Sequence, residues 1–214
     1  MKKLIVVLAL LTALLAIAAS SWFELSKLDL TQGPKRAAWQ RPEQVVAALG
    51  LRPGSRVADI GAGEGYFTLL LAEAVGPSGR VYAVDVDSTT LAKLQRTVDV
   101  SSYDNIDVIH GELDDPRLPD RSIDVAFLCN TYHHLEGRTA YFSGLKNDLK
   151  PGGRVAVVDI RDDVAGVASL FVDADHWIRW EDLYGEMSIA GYDLKDRFGF
   201  LPVQHFAIFA PDAP

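Results

Sequence analysis

Short apolar runs alternate along the chain with longer segments whose apolar residues recur every three or four positions. In the segment 88–98, for example, Leu91, Leu94 and Val98 fall on one face of a helix. The predicted helices are 66–75, 88–98 and 139–149, and the predicted strands are 57–60, 81–84, 106–110, 123–128 and 154–160. Strands that alternate with helices in this way pair in parallel through right-handed crossovers.

The two ends of this alternating region complete the predicted sheet. A helix over 42–49 is predicted by Pro42 at its first position, and Gly50 ends it. After a helix near 180–190 come two β-like runs, 192–198 and 203–209. The link between these runs is too short for a parallel crossover, so they must be antiparallel. The fold class is therefore α/β: a doubly wound, mostly parallel sheet with one antiparallel strand at its C-terminal end.

The first residues have the pattern of an export or anchor segment. Lys2 and Lys3 precede an apolar run over 4–19, which is typical of a secretory signal peptide. The run reaches the roughly 20 residues of a membrane-spanning helix only if it continues through Trp22 and Phe23. A cleaved signal and an uncleaved anchor both remain open; an anchor or a lipid-associated export form is slightly favoured.

The predicted organisation is thus a signal peptide or membrane anchor over 1–21, a polar tether over 22–41 and one folded domain over 42–210. Lys and Arg residues follow the apolar run as well as precede it, so their distribution does not decide which side of the membrane the domain occupies.

Composition narrows the range of partners. The formal net charge of -8 and the pI near 5.1 argue against a broad nucleic-acid surface, which needs clustered Lys and Arg. The single cysteine, Cys129, cannot form an intramolecular disulfide. No Cys/His group has zinc-ligand spacing along the sequence, so no metal site is predicted.

A glycine-rich loop joins the first strand of the alternating region to its helix. Gly61, Gly63 and Gly65 allow a tight turn and expose backbone N–H groups to a carboxylate or phosphate. Tyr66 occupies the place of the third glycine in the dinucleotide-binding pattern, and Asp59 would repel a pyrophosphate. Asp59 could instead accept hydrogen bonds from an ammonium group. A ligand with both an amino group and a carboxylate fits this pair, and the methionyl end of S-adenosylmethionine is such a ligand.

Two further acids follow the next two strands. Asp85 ends the second strand, where a carboxylate can accept both hydroxyls of a ribose. Asp87 is better interpreted as the cap of the next helix. Glu112 follows the third strand and could reach an adenine amino group, although Asp114 and Asp115 compete for that role.

Together these motifs resemble the class I S-adenosylmethionine-dependent methyltransferases. The resemblance rests on Asp-x-Gly-x-Gly-x-Gly at 59–65, Asp85, Gly111-Glu112 and the segment 149–153, and it extends over about 42–209. It implies a Rossmann-like sheet of seven strands and S-adenosylmethionine as the cofactor.

The resemblance also implies roles for particular residues. Asp59 and the loop glycines Gly61, Gly63 and Gly65 would hold the methionyl part, Asp85 the ribose and Glu112 the adenine. The segment that begins with Asn130 and includes Tyr132, His133 and His134 would border the methyl group and its acceptor.

The chain is similar to a bacterial subgroup of small-molecule-type methyltransferases, so a small-molecule acceptor is expected. It departs from other members of the family in two respects. It has little room for an acceptor-binding insertion, and it lacks both the paired cysteines of arsenite methyltransferases and the Asn/Asp-Pro-Pro-Tyr-type segment of amino-group enzymes.

Methyl transfer from a sulfonium mainly requires in-line alignment and exclusion of water. A general base is needed only when the acceptor must lose a proton, and His133 and His134 are the candidates, of which at most one is expected to act. Tyr132 would orient the acceptor or stack on it. The segment 173–180, which includes His176, either covers the acceptor or packs on the sheet.

Other functions remain open at this point. A non-catalytic S-adenosylmethionine-binding protein at the membrane is one alternative. An NAD-dependent oxidoreductase is another, which Tyr66 and Asp59 disfavour. A methyltransferase acting on protein or RNA is disfavoured by the acidic charge balance. The leader directs the chain toward a membrane, whereas S-adenosylmethionine is supplied in the cytoplasm. The sequence does not reconcile these two points, and it leaves the oligomeric state open.

Overall fold

A computed structural model describes residues 33–163 and 176–212. The predicted segment 1–21, most of the predicted tether and the first part of the segment 173–180 lie outside these residues. The chain divides into two compact units, Met1–Ala38 and Trp39–Pro214, and the second unit contains every strand named below. Among the described residues, no helix has both the length and the apolar character needed to cross a membrane.

The strands form one mixed sheet with the order β3-β2-β1-β4-β5-β7-β6. Strands β1 to β5 pair in parallel, and β7 runs antiparallel to both β5 and β6. The predicted architecture, including its single antiparallel strand, is confirmed. The strands are β1 (Arg56–Ile60), β2 (Arg80–Asp85), β3 (Ile106–His110), β4 (Ile123–Cys129), β5 (Leu149–Ile160), β6 (Tyr192–Phe198) and β7 (Gln204–Pro211).

The helices follow the predicted pattern with two exceptions, of which the first is a helix over Gly33–Gln40, within the predicted tether. Helix α5 was predicted to extend to residue 149 but ends at Leu145, and β5 begins at Leu149, which pairs with Ile123 on β4. Gly153 lies inside β5, where an added Cβ would stand 2.9 Å from the Ile123 carbonyl oxygen. Strand pairing with β4 therefore begins within the segment that was predicted to be helical. The helices are α1 (Gly33–Gln40), α2 (Pro42–Ala48), α3 (Tyr66–Val75), α4 (Ser88–Asp99), α5 (Arg138–Leu145) and α6 (Trp180–Ile189), and a 3₁₀ turn spans Tyr132–His134.

The central strands are buried on both faces of the sheet. Val57 contributes to the hydrophobic core on one face, whereas its neighbour Ala58 contributes to the core on the other. This explains why the strands appear in the sequence as continuous apolar runs. The chain order reverses between β1 and β4, and a crevice at the carboxyl ends of the strands is expected at such a switch point.

Asn105 connects the sheet to the C-terminal end of α3. Its buried side-chain amide donates hydrogen bonds to the carbonyl oxygens of Ala72, at 3.1 Å, and Gly76, at 2.8 Å. Each carbonyl also accepts a backbone N–H, from Gly76 and Gly79 respectively, so Asn105 adds a second donor that ties the helix end to the sheet. Asn105 thereby holds the helix whose N-terminal end carries the glycine-rich loop.

We expect Asn105→Ala to lower the free energy of unfolding by about 1–3 kcal/mol, because it removes two hydrogen bonds that join the sheet to the end of α3. Urea denaturation would measure the loss. The exposed Asn147 offers a matched control, and Asn147→Ala should change the stability by less than about 0.5 kcal/mol. Equal losses in the two variants would contradict the role given to Asn105.

Candidate functional site

The glycine-rich loop is held against the ends of two neighbouring strands. The N–H groups of Gly61 and Ala62 donate to the Val84 carbonyl oxygen at 2.8 and 2.9 Å. Gly61 has a φ of +74°, and a Cβ at this position would overlap the side chain of Thr131, which follows β4. Gly63 also has a positive φ, of +59°, but a Cβ there would meet no atom within 4 Å. Gly61 is thus required by packing, whereas Gly63 leaves space open above the loop.

A cavity of about 350 Å³ lies at this switch point. Its volume is at the lower end of the range typical of small-molecule sites, roughly 300–1,000 Å³. Six of the predicted site residues line it: Gly61, Gly63, Asp85, Glu112, Asn130 and His134. The rest of the lining is largely apolar: Ile60, Val84, Val86, Thr90, Leu113, Pro116, Thr131, Leu135 and Tyr141.

Asp85 is the most firmly positioned acid in the cavity. Its two carboxylate oxygens accept hydrogen bonds from the N–H groups of Gly63, at 3.0 Å, and Asp87, at 3.1 Å. Each ionised oxygen retains capacity for a further donor. Asp87 accepts from the Thr90 N–H at 2.7 Å and caps α4, as predicted. The Asp85 carboxylate is therefore oriented by the backbone and available to a hydroxyl-bearing ligand.

Glu112 also lines the cavity and is more exposed than Asp85. One of its carboxylate oxygens is paired with the Arg117 guanidinium, and its N–H donates to the Asp115 carbonyl oxygen at 2.7 Å. Two exposed hydrophobic side chains, Val86 and Leu113, line the cavity together with Asp85 and Glu112. Apolar surface flanked by acids suits a flat heteroaromatic group whose edge carries N–H donors.

Asn130 is oriented by two glutamines that the sequence analysis did not single out. Its backbone is left-handed, with φ +53°, and its side-chain oxygen accepts a hydrogen bond from Gln204 Nε2 at 2.7 Å. Gln204 in turn accepts from Gln40 Nε2 at 3.4 Å, and both glutamines are buried. Because the Asn130 oxygen is used in this way, its amide N–H groups are the part left to face a ligand. These hydrogen-bonded side-chain amides come from residues far apart in the sequence, so no local sequence pattern indicates their contact.

Two of the predicted cofactor residues do not line the cavity. Asp59 is 2% exposed, and its carboxylate accepts a hydrogen bond from the Thr68 hydroxyl at 2.7 Å. Its predicted contact with an ammonium group stays a prediction. Gly65, with φ +94°, begins α3, and a Cβ there would stand 3.0 Å from Leu94. Both residues thus support the loop in this structure.

Tyr132 was predicted to contact the acceptor, but its ring lies in the hydrophobic core. The side chain is fully buried and stacks on Phe142 with ring centroids 5.6 Å apart. Its hydroxyl donates to Glu186, which also accepts two hydrogen bonds from Arg138 at 2.6 and 2.9 Å. The structure thus corrects the predicted position of Tyr132, because the apolar ring gains more from core packing than from the cavity rim.

The charges around Tyr132 are mutually stabilised. Burial and the neighbouring Glu186 raise the pKa of Tyr132 far above its usual range. Burial alone would raise the pKa of Glu186, but hydrogen bonds from Arg138 and Tyr132 lower it instead. The tyrosine is therefore neutral and the glutamate ionised near neutral pH, so this group serves as a structural clamp on the 3₁₀ turn.

His133 and His134 leave this turn in different environments. The His133 side chain is 4% exposed, and its Nδ1 lies 2.7 Å from Asp159 Oδ1. Asp159 is fully buried and also accepts the His133 N–H at 3.2 Å. His134 is exposed and lines the cavity. Of the two candidate bases, only His134 reaches the cavity wall.

His176 joins these two histidines, which the sequence analysis did not foresee. The ligand atoms of His133, His134 and His176 all lie within 4.8 Å of one another. The reason is tertiary: nearby, the Ile178 N–H donates to the Ile160 carbonyl oxygen at 2.9 Å. This bond fixes the segment with His176 next to the end of β5. The prediction of no metal site relied on the spacing of Cys and His residues along the sequence, and that spacing does not indicate this contact.

Comparison with known proteins gives a match to a family model described as a methyltransferase domain, over residues 57–153. The chain is 30% identical over 114 residues to an arsenite methyltransferase of Halobacterium salinarum, which covers 53% of this chain and 29% of that protein. It is 29% identical over 132 residues to a ubiquinone/menaquinone biosynthesis C-methyltransferase of Ectopseudomonas mendocina, which covers 61% of this chain and 51% of that protein. The chain thus spans less than two thirds of the length of either relative.

Solved structures show the same fold. The structure of a S-adenosylmethionine-dependent methyltransferase from Aquifex aeolicus superimposes with a TM-score of 0.77 at 24% sequence identity, covering 86% of this chain and 96% of that chain. A second, from Mesorhizobium loti, gives a TM-score of 0.63 at 15% identity, covering 78% of this chain and 95% of that chain. The shared fold accounts for the position of the cavity at the switch point.

The two loop glycines should respond differently to a methyl group. We expect Gly61→Ala to lower the free energy of unfolding by about 1–3 kcal/mol more than Gly63→Ala. Both variants place alanine at a positive φ, but only Gly61→Ala forces a Cβ into Thr131. Thermal and urea unfolding of the two variants would measure the difference. Equal stabilities would show that Thr131 does not restrain the loop.

Proposed function

We propose that this chain carries a domain of the class I S-adenosylmethionine-dependent methyltransferase family and that it transfers the methyl group of that cofactor to a small organic acceptor. The observation that carries the proposal is the geometry of Asp85. Its carboxylate ends β2 inside the cavity, is held by the Gly63 N–H, and keeps acceptor capacity for the two hydroxyls of a ribose.

The rest of the cavity supports one orientation of the cofactor. Gly61 and Gly63 would lie along the methionyl part, and the Asn130 amide would donate to it. The adenine would pack on Val86 and Leu113, with its amino group directed to Glu112. Asp59 and Gly65 would act indirectly, by supporting the glycine-rich loop. Asp59 would contact the methionyl ammonium group only if its present hydrogen bond with Thr68 changed.

Methyl transfer in this orientation would take place near the 3₁₀ turn. A lone pair of the acceptor forms a bond to the methyl carbon while the carbon–sulfur bond breaks. The electrons of that bond return to sulfur, and S-adenosylhomocysteine leaves as a neutral thioether. When the acceptor is a hydroxyl, it must also lose a proton. His134, which lines the cavity, would take that proton, with His133 and the core-anchored Tyr132 positioning the turn.

The chemistry of the residues favours an organic acceptor over arsenite. The first relative is named an arsenite methyltransferase, but soft thiolate ligands of the kind that hold such an acceptor are missing here. Cys129 is the single cysteine of the sequence and is buried. Leu135 and Tyr141 instead offer apolar surface beside His134. A reduced naphthoquinone is a suitable first probe, because other relatives are named as quinone-biosynthesis C-methyltransferases.

We further propose that residues 1–21 are an uncleaved anchor that leaves the domain on the cytoplasmic side of a membrane. The support is the apolar run after Lys2 and Lys3 together with the need for a cofactor that is supplied in the cytoplasm. Export of a cleaved form is the alternative, and it would leave the supply of S-adenosylmethionine unexplained.

We expect the purified full-length chain to bind S-adenosylmethionine and S-adenosylhomocysteine, but not NAD, in calorimetric titrations. Asp85→Asn should weaken binding by about 10- to 100-fold, because it removes a charged acceptor from the ribose hydroxyls. Asp99→Asn, which removes the same charge from the exposed end of α4, should leave the affinity unchanged.

Release of S-adenosylhomocysteine in the presence of a reduced naphthoquinone, and not with arsenite, would establish the acceptor class. Binding of NAD alone would make the chain a dinucleotide protein. Tight binding of S-adenosylmethionine without turnover of any acceptor would favour a non-catalytic binding protein.

The location of the domain can be tested with reporter fusions at the C-terminus in a bacterial host. We expect a green-fluorescent fusion to be bright and membrane-bound, and an alkaline phosphatase fusion to be inactive. Deletion of residues 2–21 should move the fluorescent fusion to the soluble fraction. An active phosphatase fusion of reduced size would instead indicate a cleaved signal and an exported domain.

A further inference from the structure

His133, His134 and His176 form a compact group of imidazoles at the carboxyl end of β4. The ring centroids of His133 and His134 are 4.0 Å apart, and those of His176 lie 5.1 Å from His133 and 5.4 Å from His134. One ligand nitrogen from each ring falls within 4.8 Å of the other two. Clustering of three side chains that carry nitrogen lone pairs is the arrangement that a divalent metal ion stabilises.

His133 has the environment of a metal ligand on both of its ring nitrogens. Its Nδ1 faces the fully buried carboxylate of Asp159 at 2.7 Å, which holds the proton on Nδ1 and leaves the lone pair on Nε2. That Nε2 atom is buried and has no hydrogen-bond partner. A buried nitrogen without a hydrogen-bond partner is unfavourable unless something else binds it. A carboxylate behind one nitrogen of an imidazole is the common support for coordination through the other.

The backbone around the group is fixed by several hydrogen bonds. Asp159 is itself oriented, because it accepts the N–H groups of His133 and Ile160 at 3.2 and 2.8 Å. The turn that carries His133 and His134 is anchored in the core by Tyr132. On the other side, Ile178 is joined to the end of β5 and holds the adjoining segment. The three histidines are therefore carried by backbone segments whose positions are held by hydrogen bonds.

We propose that His133, His134 and His176 bind a divalent transition-metal ion, with Zn²⁺ as the representative probe, and that Asp159 orients His133 for this purpose. Imidazole ligands suit zinc, copper, nickel and iron rather than magnesium or calcium. Zinc–nitrogen bonds of about 2.0–2.1 Å in a tetrahedral site bring ligand nitrogens to roughly 3.4 Å from one another. The present separations of up to 4.8 Å would therefore have to shorten by about 1.4 Å at most on binding the ion.

The position of the ion gives it a role in the proposed reaction. His134 also lines the cofactor cavity, so the ion stands at the rim where the acceptor approaches. Three imidazoles leave a coordination position open, and an ion there favours the deprotonated form of a bound hydroxyl or thiol. This role rests on the proposed function, whereas the binding of the ion does not. With the ion in place the histidines act through it rather than as proton acceptors.

The test is a calorimetric titration of the chelator-treated full-length chain with ZnCl₂, repeated with CoCl₂ so that the visible absorption of cobalt reports the ligand geometry. We expect one ion per chain, an absorption typical of tetrahedral nitrogen coordination, and a rise in the unfolding temperature with added Zn²⁺. Mg²⁺ should cause none of these changes.

The variants separate the ligands from their support. His133→Ala and His176→Ala should each weaken Zn²⁺ binding by more than about 100-fold, and Asp159→Asn by roughly 10- to 100-fold. His134→Ala removes an exposed ligand, so it tests the site without disturbing the core. His110→Ala is the matched control, since His110 is an exposed histidine at the end of β3 and should not affect Zn²⁺ binding.

Zn²⁺ binding that is as tight in His133→Ala and His134→Ala as in the unaltered chain would overturn the proposal, as would a cobalt spectrum of a fully hydrated ion. Titration of the same samples with S-adenosylmethionine keeps the two proposals apart. Cofactor binding without Zn²⁺ binding would contradict the metal-site proposal alone. Zn²⁺ binding without cofactor binding would contradict the proposed function alone.

Discussion

The hydrogen bonds between the glycine-rich loop and the end of β2 are the constraint on which the site depends. Gly61 and Gly63 turn at positive φ so that their N–H groups meet Val84 and Asp85 on the neighbouring strand. The loop can approach this closely only because Gly61 has no Cβ to meet Thr131, which follows the strand on the other side. One backbone arrangement thus links the ends of β1, β2 and β4. It also orients the Asp85 carboxylate toward the cavity and keeps the space above Gly63 open.

A second group of polar contacts holds the 3₁₀ turn from which His134 reaches the site. Tyr132 lies in the core, and its hydroxyl meets Glu186 on α6, which is paired with Arg138 at the start of α5. Since Tyr132 begins the 3₁₀ turn, this clamp determines where His133 and His134 emerge. A buried tyrosine with a charged partner is costly unless every group is satisfied, and here the arginine supplies the compensating charge. A residue far from the reacting atoms therefore positions those next to them.

The site could be predicted in part because some of its residues follow strands directly. In a parallel sheet the carboxyl ends of successive strands lie on one edge, so Asp85 and Glu112 had to approach the same crevice once the strands were recognised. Tyr132 was misplaced because an adjacent position in the sequence does not tell which side chain turns inward. Gln204 and Gln40 were missed because their contacts with Asn130 join distant parts of the chain.

The sequence by itself determined the approximate positions of the strands, most of the helices, the parallel pairing of the first strands and the antiparallel final pair. These features depend on local periodicity, on turn residues and on the length of the connecting segments, all of which can be read directly from the sequence. Only the tertiary structure decided that α5 gives way to β5 at Leu149, since the pairing with Ile123 outweighs the local preference. It alone brought His176 to His133, and His133 to Asp159. Such contacts depend on how separate elements pack together, and no local pattern of residues encodes them.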